Sequence, residues 1–242
     1  MRKTLYELIQ KVKAFLVRNF HQYNSKLPYI ITVIVALIIV IGGINLFIEL
    51  TDELKDELLP QYDQAITDYV ISFRTAALTK YFIFFTNIGD LYGYLIVLAI
   101  SSFISYFFFK RWRGVVQTIF VLVVASLSNV ILKRFIDRAR PGIEHLVSVE
   151  TLSYPSGHAM SAMAFYGFVI YLFSRFKINI FLKTLIIILL VFIILNIGIS
   201  RIYLGVHYPS DIAGGYIAGF IWVVFCILIF NLVEVFRRDP KT

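Results

Sequence analysis

One cysteine, Cys226, occurs in the 242 residues. A lone thiol forms no intramolecular disulfide, and no Cys/His spacing of zinc type is present, so the fold is not stapled. Charge is scarce as well. Asp, Glu, Lys and Arg make up 16% of the chain, against roughly a quarter in an ordinary soluble domain. With 13 glycines and 6 prolines, a collagen-like fibre is excluded, and no low-complexity tract or internal repeat divides the chain. It therefore reads as a single domain over 1–242. What is abundant is apolar: 59% of residues, too many for a disordered chain or an ordinary water-soluble domain.

That apolar content is gathered into long runs. A bilayer core needs about 20 apolar helical residues to cross it. Six runs qualify, at 28–50, 91–109, 114–132, 158–175, 180–199 and 212–233. The runs are continuous rather than alternating, and lipid leaves backbone groups no water to bond, so helices are expected and a β-barrel is not. The first run lacks a convincing cleavage site and reads as a retained helix. The expected fold is all-α: a six-transmembrane-helix bundle with short amphipathic helices outside the membrane.

Lys and Arg set its orientation. Fifteen of the 23 fall before the first run, in the second-to-third and fourth-to-fifth connections, and in the tail. Positive-inside then predicts cytoplasmic termini. Residues 1–27 carry Leu5, Leu8, Val12, Phe15 and Phe20 near helical spacing among Lys and Arg, as a basic amphipathic helix on the inner leaflet would. Residues 51–90 read as an external cap segment of two short helices ending at the Asn87–Gly89–Asp90 turn. A second span starting near Tyr81, with Asp90 buried inside it, is the alternative. The net charge of +8 lies along the cytoplasmic membrane edge, so a nucleic-acid partner is not expected.

Of the eight basic residues on the disfavoured side, four cluster in Lys133-Arg134-Phe135-Ile136-Asp137-Arg138-Ala139-Arg140-Pro141. Two further clusters share that membrane face: Tyr154-Pro155-Ser156-Gly157-His158, and Ser200-Arg201 with His207 and Asp211. Ionisable residues at membrane depth are costly and mark function by default. Lys133, Arg140 and Arg201 offer cations, and a guanidinium fork suits phosphate oxygens. Ser156 and Gly157 precede a helix whose first N–H groups have no intrahelical partner, which favours an anion there. These residues describe a phosphate cradle with no metal and no cofactor.

His207 and Asp211 are four residues apart and face one way on a helical turn. A carboxylate on one imidazole nitrogen fixes the tautomer and frees the other to attack. His207 thus reads as a nucleophile oriented by Asp211, forming a phosphohistidine, and His158 as the acid that protonates the leaving oxygen and later activates water. Ordinary explanations suit other residues. Arg134 and Arg138 read as snorkelling side chains, and His21 and His145 as incidental. Tyr154 is either a headgroup contact or an interfacial anchor.

The motifs Lys133-x6-Arg140-Pro141, Pro155-Ser156-Gly157-His158 and Ser200-Arg201-x5-His207-x3-Asp211 resemble the three-part signature of the type 2 phosphatidic acid phosphatase superfamily. The six-run layout resembles its integral-membrane branch. The resemblance spans residues 133–211 and departs from the pattern at no catalytic position. It implies a metal-independent phosphatase acting on lipid phosphates or diphosphates at the outer face. The matching residues Lys133, Arg140, Ser156, Gly157 and Arg201 would bind phosphate, and His158, His207 and Asp211 would do the chemistry. It allows phosphatidate, phosphatidylglycerophosphate, undecaprenyl diphosphate and lipid A phosphates as substrates, with a bacterial inner membrane as the expected location. A lipid phosphotransferase would use the same residues. A lipid or anion transporter would use the basic cluster only for binding, and predicts repeats and mid-membrane helix breaks.

Overall fold

The computed structural model describes residues 27–54, 58–107, 112–149 and 152–238. The expected amphipathic segment 1–27 lies, but for Leu27, outside them. Among the described residues the fold is all helical: α1 (Leu27–Glu53), α2 (Leu58–Ile71), α3 (Ala76–Ile88), α4 (Leu91–Phe107), α5 (Trp112–Ile136), α6 (Gly157–Ser174), α7 (Ile180–Tyr203) and α8 (Pro209–Arg238). Five of these, α1 and α5 to α8, are long and apolar enough to cross a membrane. Their outward faces carry exposed Ile, Leu, Val and Phe, as lipid-facing surfaces do.

The second expected span, 91–109, takes a different form. α4 has 17 residues and qualifies only together with α3, as a pair bent by 62° at a break between Ile88 and Leu91. Counting that pair once gives six spans. The break has local causes. Thr75 caps α3 by accepting the Leu78 N–H at 3.2 Å, which fixes the helix start well before Tyr81. At its far end the Gly89 N–H bonds back to Phe85 and Thr86 carbonyls, closing α3, and the Asp90 carbonyl accepts the Tyr94 N–H to open α4. α3 packs on α7 rather than standing clear of it: Phe82 lies on Tyr203, Phe85 on Phe192, and Tyr81 donates to Asn196 Oδ1 at 2.8 Å.

α6 is the axle of the bundle. Ala159, Met160, Ala162, Ala164, Phe165, Tyr166, Phe168 and Val169 are all buried, between α5, α7 and α8. Small residues let α8 approach it closely, the usual way helices pack in lipid. A Cβ at Gly219 would lie 2.5 Å from the Met160 carbonyl oxygen, and one at Gly215 2.7 Å from that of Ser156. Larger side chains would push α8 away from the start of α6. Ser156 and Asp211 therefore meet backbone to backbone, Ser156 N–H donating to the Asp211 carbonyl at 3.0 Å.

Candidate active site

All eight residues singled out from the sequence collect at one end of the bundle. Lys133 closes the last turn of α5. The chain then reverses at Asp137, whose φ of 50° is tolerated because Asp visits the left-handed region more readily than most residues. This turn carries Arg138 and Arg140 back over the helix ends. Lys133 Nζ and Arg140 both reach the carbonyl of Leu152, so two cations from separate elements converge on one point. Ser156 caps α6 by accepting the Ala159 N–H at 3.5 Å. Asn129, buried on α5, donates to the Pro155 carbonyl at 3.0 Å, and a Cβ at Gly157 would come within 2.9 Å of its Oδ1. The loop at the α6 N-terminus is thus held by a side chain that the sequence reading passed over.

Arg201 is buried near the end of α7, with Nη1 on Thr86 Oγ1 at 2.6 Å. Its Nε is buried and has no protein partner. A buried guanidinium N–H is costly to leave unbonded, and here it stands beside Arg140 in an anion-seeking cluster.

The turn after α7 needs glycine. Gly205 has φ of 80°, and a Cβ there would lie 2.6 Å from the Glu144 carbonyl oxygen. Past this turn His207 is 2% exposed and Asp211 fully buried. His207 Nδ1 lies 3.2 Å from Asp211 Oδ2, and Nε2 lies 3.3 Å from Arg140 Nη1. Arg140 Nη1 also donates to the Val206 carbonyl at 2.5 Å. The carboxylate therefore sits on one ring nitrogen, and the cation cluster on the other. Burial drives the His207 pKa down to about 3, outweighing Asp211, so the ring is neutral at physiological pH. A neutral imidazole with Nδ1 protonated presents the Nε2 lone pair to whatever Arg140 holds.

Asp211 is restrained on both oxygens. Oδ2 accepts from Ser153 Oγ and from the Tyr208 N–H at 2.8 Å, and Oδ1 accepts from Arg138 Nη1 at 2.6 Å. Arg138 also reaches Ser210 and, at 2.7 Å, Asp63 Oδ2 on α2. Burial pulls the Arg138 pKa down, but Asp211 and Asp63 more than offset it, and the net shift is upward. Its expected role as a snorkelling residue is therefore corrected: Arg138 is a structural cation clamped between two buried carboxylates. Arg134 is exposed, as a snorkelling residue would be. His145 bonds the Pro141 carbonyl at 2.9 Å within its own loop. Tyr154 is buried against Gly214 and Phe47, its hydroxyl 3.1 Å from Thr51, and burial pushes its pKa up to about 12. It packs the core instead of anchoring at an interface.

His158, in the first turn of α6, is within electrostatic reach of Lys133 and Arg201. Its Nε2 is 2.8 Å from Asp90 Oδ1, at the break between α3 and α4. The contact is an ion pair by distance whenever the ring carries its second proton. The alternative of a buried Asp90 is corrected: its side chain is 51% exposed at the site's edge. The sequence carried a signal for this residue, an acid interrupting the apolar stretch from YFIFF to LYGYL.

Comparison with known proteins assigns the family. Residues 114–234, half of the chain, match the model of the PAP2 superfamily. A curated relative, phosphatidylglycerophosphatase B of Bacillus subtilis, is 30% identical over 196 residues, covering 81% of this chain and 93% of its own. A lipid A 1-phosphatase of Rhizobium johnstonii is 28% identical over 117 residues, 44% of this chain and 43% of its own. Among solved structures, the transmembrane PAP2-type phosphatidylglycerolphosphate phosphatase of Bacillus subtilis superposes with a TM-score of 0.72 at 25% identity, over 85% of this chain and all of that one. Aquifex aeolicus LpxE shares the fold, with a TM-score of 0.53 at 22% identity over 68% of this chain and 93% of its own. The chain belongs to the PAP2 superfamily and is an integral-membrane phosphatase of lipid phosphates.

Proposed function

We propose that the protein hydrolyses a lipid phosphate at the outer face of a bacterial inner membrane through a phosphohistidine on His207. The observation that carries this reading is the division of the His207 ring, with Asp211 on Nδ1 and Arg140 on Nε2. In the first step, Nε2 attacks phosphorus as the P–O bond to the lipid breaks, and His158 gives its proton to the departing oxygen. In the second, water attacks phosphorus, loses its proton to His158, and the P–N bond breaks to release phosphate. Lys133, Arg140, Arg201, Ser156 and the α6 N-terminus carry the charge on the equatorial oxygens in both steps. Asp211 keeps the proton on Nδ1 and steadies the cation that forms on the ring.

The Lys and Arg distribution supports the outer face, because it favours cytoplasmic termini and the site lies at the other end of the bundle. For the substrate, the Bacillus relative favours phosphatidylglycerophosphate, with phosphatidate and undecaprenyl diphosphate as the other members of the panel. Phosphate release by purified protein in detergent, with EDTA throughout, tests the reading on all three. We expect release from at least one, lost in His207→Ala. Equal release by the variant would overturn the assignment. A phosphotransferase would use the same residues, and acceptor-dependent formation of a new phosphorylated product would reveal it.

A further inference from the structure

The break between α3 and α4 does more than bend a span. Gly89 packs directly on the site: a Cβ there would lie 3.2 Å from His158 Cδ2 and 2.7 Å from Ile197 Cγ2. The bare backbone thus brings the following residue alongside the ring. That residue is Asp90, with Oδ1 2.8 Å from His158 Nε2. The pair joins elements far apart in sequence, so helical spacing does not produce it. The charged groups facing His158 are Asp90 from the break, Arg201 from α7 and Lys133 from α5. Two of the three are cations, and each opposes a proton on the ring. Asp90 is the one that favours it.

We propose that Asp90 is a positioning residue for His158, holding the ring in place and favouring the proton that it transfers to the leaving oxygen. This rests on the reading of His158 as the acid. A half-exposed carboxylate suits the task, because the ring must surrender a proton in one step and regain one in the next. Without Asp90, burial and the two cations would oppose that proton with no carboxylate beside the ring to favour it.

The test compares Asp90→Asn, Asp90→Glu and His158→Ala on two substrates, phosphatidate and para-nitrophenyl phosphate. An alkoxide leaves poorly without a proton, whereas a nitrophenolate leaves readily. Asp90→Asn should lower kcat/KM for phosphatidate by about ten- to a hundredfold, part of the roughly 10²–10⁴ that general-acid catalysis supplies, and lower that for the aryl ester much less. The alkaline limb of its kcat/KM profile on phosphatidate should move to lower pH, since losing the carboxylate lowers the proton affinity of the ring. Asp90→Glu should recover part of the phosphatidate rate. Equal slowing on both substrates with an unchanged pH profile would overturn the proposal, as would wild-type rates on phosphatidate. The aryl ester also shows that each variant is folded. If His158→Ala itself lowers kcat/KM equally for both substrates, the assignment of His158 as acid fails, and the role of Asp90 with it; kcat/KM is the readout because the later activation of water is common to both substrates.

Discussion

The site contains two imidazole–carboxylate pairs of opposite construction. His207 and Asp211 lie four residues apart, both buried, and the carboxylate is gripped by Arg138, Ser153 and the Tyr208 N–H. His158 on α6 and Asp90 at the α3–α4 break come from separate elements, are 22% and 51% exposed, and meet through a single contact. The difference matches what each ring is proposed to do. A nucleophile needs one tautomer and one orientation throughout, which a buried, fully bonded carboxylate secures. An acid must exchange protons with substrate and water, which a partly solvated pair permits. The same two residue types therefore serve different chemistry according to burial and the number of bonds on the carboxylate.

That contrast can be broken in graded ways. Removing the buried nucleophile should have the largest effect: His207→Ala should lower kcat by at least about a thousandfold, measured as phosphate release against an enzyme-free blank. Asp211→Asn keeps the shape but unsettles the tautomer, and should cost about a hundred- to a thousandfold in kcat. Its loss should exceed that of Asp90→Asn on the same lipid, and equal losses would erase the asymmetry. Arg138→Met should come next, at about tenfold in kcat with a lowered Tm, because it leaves Asp63 and Asp211 buried without their shared cation.

The smallest expected effect is on stability against pH. In the folded protein burial holds His207 at about 3, below its ordinary 6.5. The unfolded chain therefore takes up the proton first as pH falls. The stability that His207 contributes is complete above pH 6.5 and is lost progressively toward pH 3. Thermal melting should show a shallower decline between pH 7 and 4 in His207→Asn than in wild type. A parallel decline would contradict the burial of a neutral ring.

The helical class and the converging cations were legible in the sequence because long apolar runs and intramembrane charges are one-dimensional signals. The pair His207–Asp211 was legible too, as its spacing sits on a single turn. Arg138 was misread because its partners, Asp63 and Asp211, lie far from it along the chain. The sequence marks a turn at Gly89–Asp90, but its local pattern suits the end of an external segment better than the alternative, a span starting near Tyr81. Only the packing of Phe82 and Phe85 on α7 reveals that α3 belongs to the bundle. Asn129 left no trace in the pattern: one amide in an apolar run looks like a packing residue until the loop it holds is seen.

The most direct test of the central claim is to quench the enzyme during turnover of phosphorus-labelled lipid and digest it under alkaline conditions, where phosphohistidine survives. The account predicts label on the peptide carrying His207, increased in His158→Ala if release of phosphate is slowed more than attack. Active turnover with no label on that peptide, or label confined to the peptide carrying His158, would contradict it.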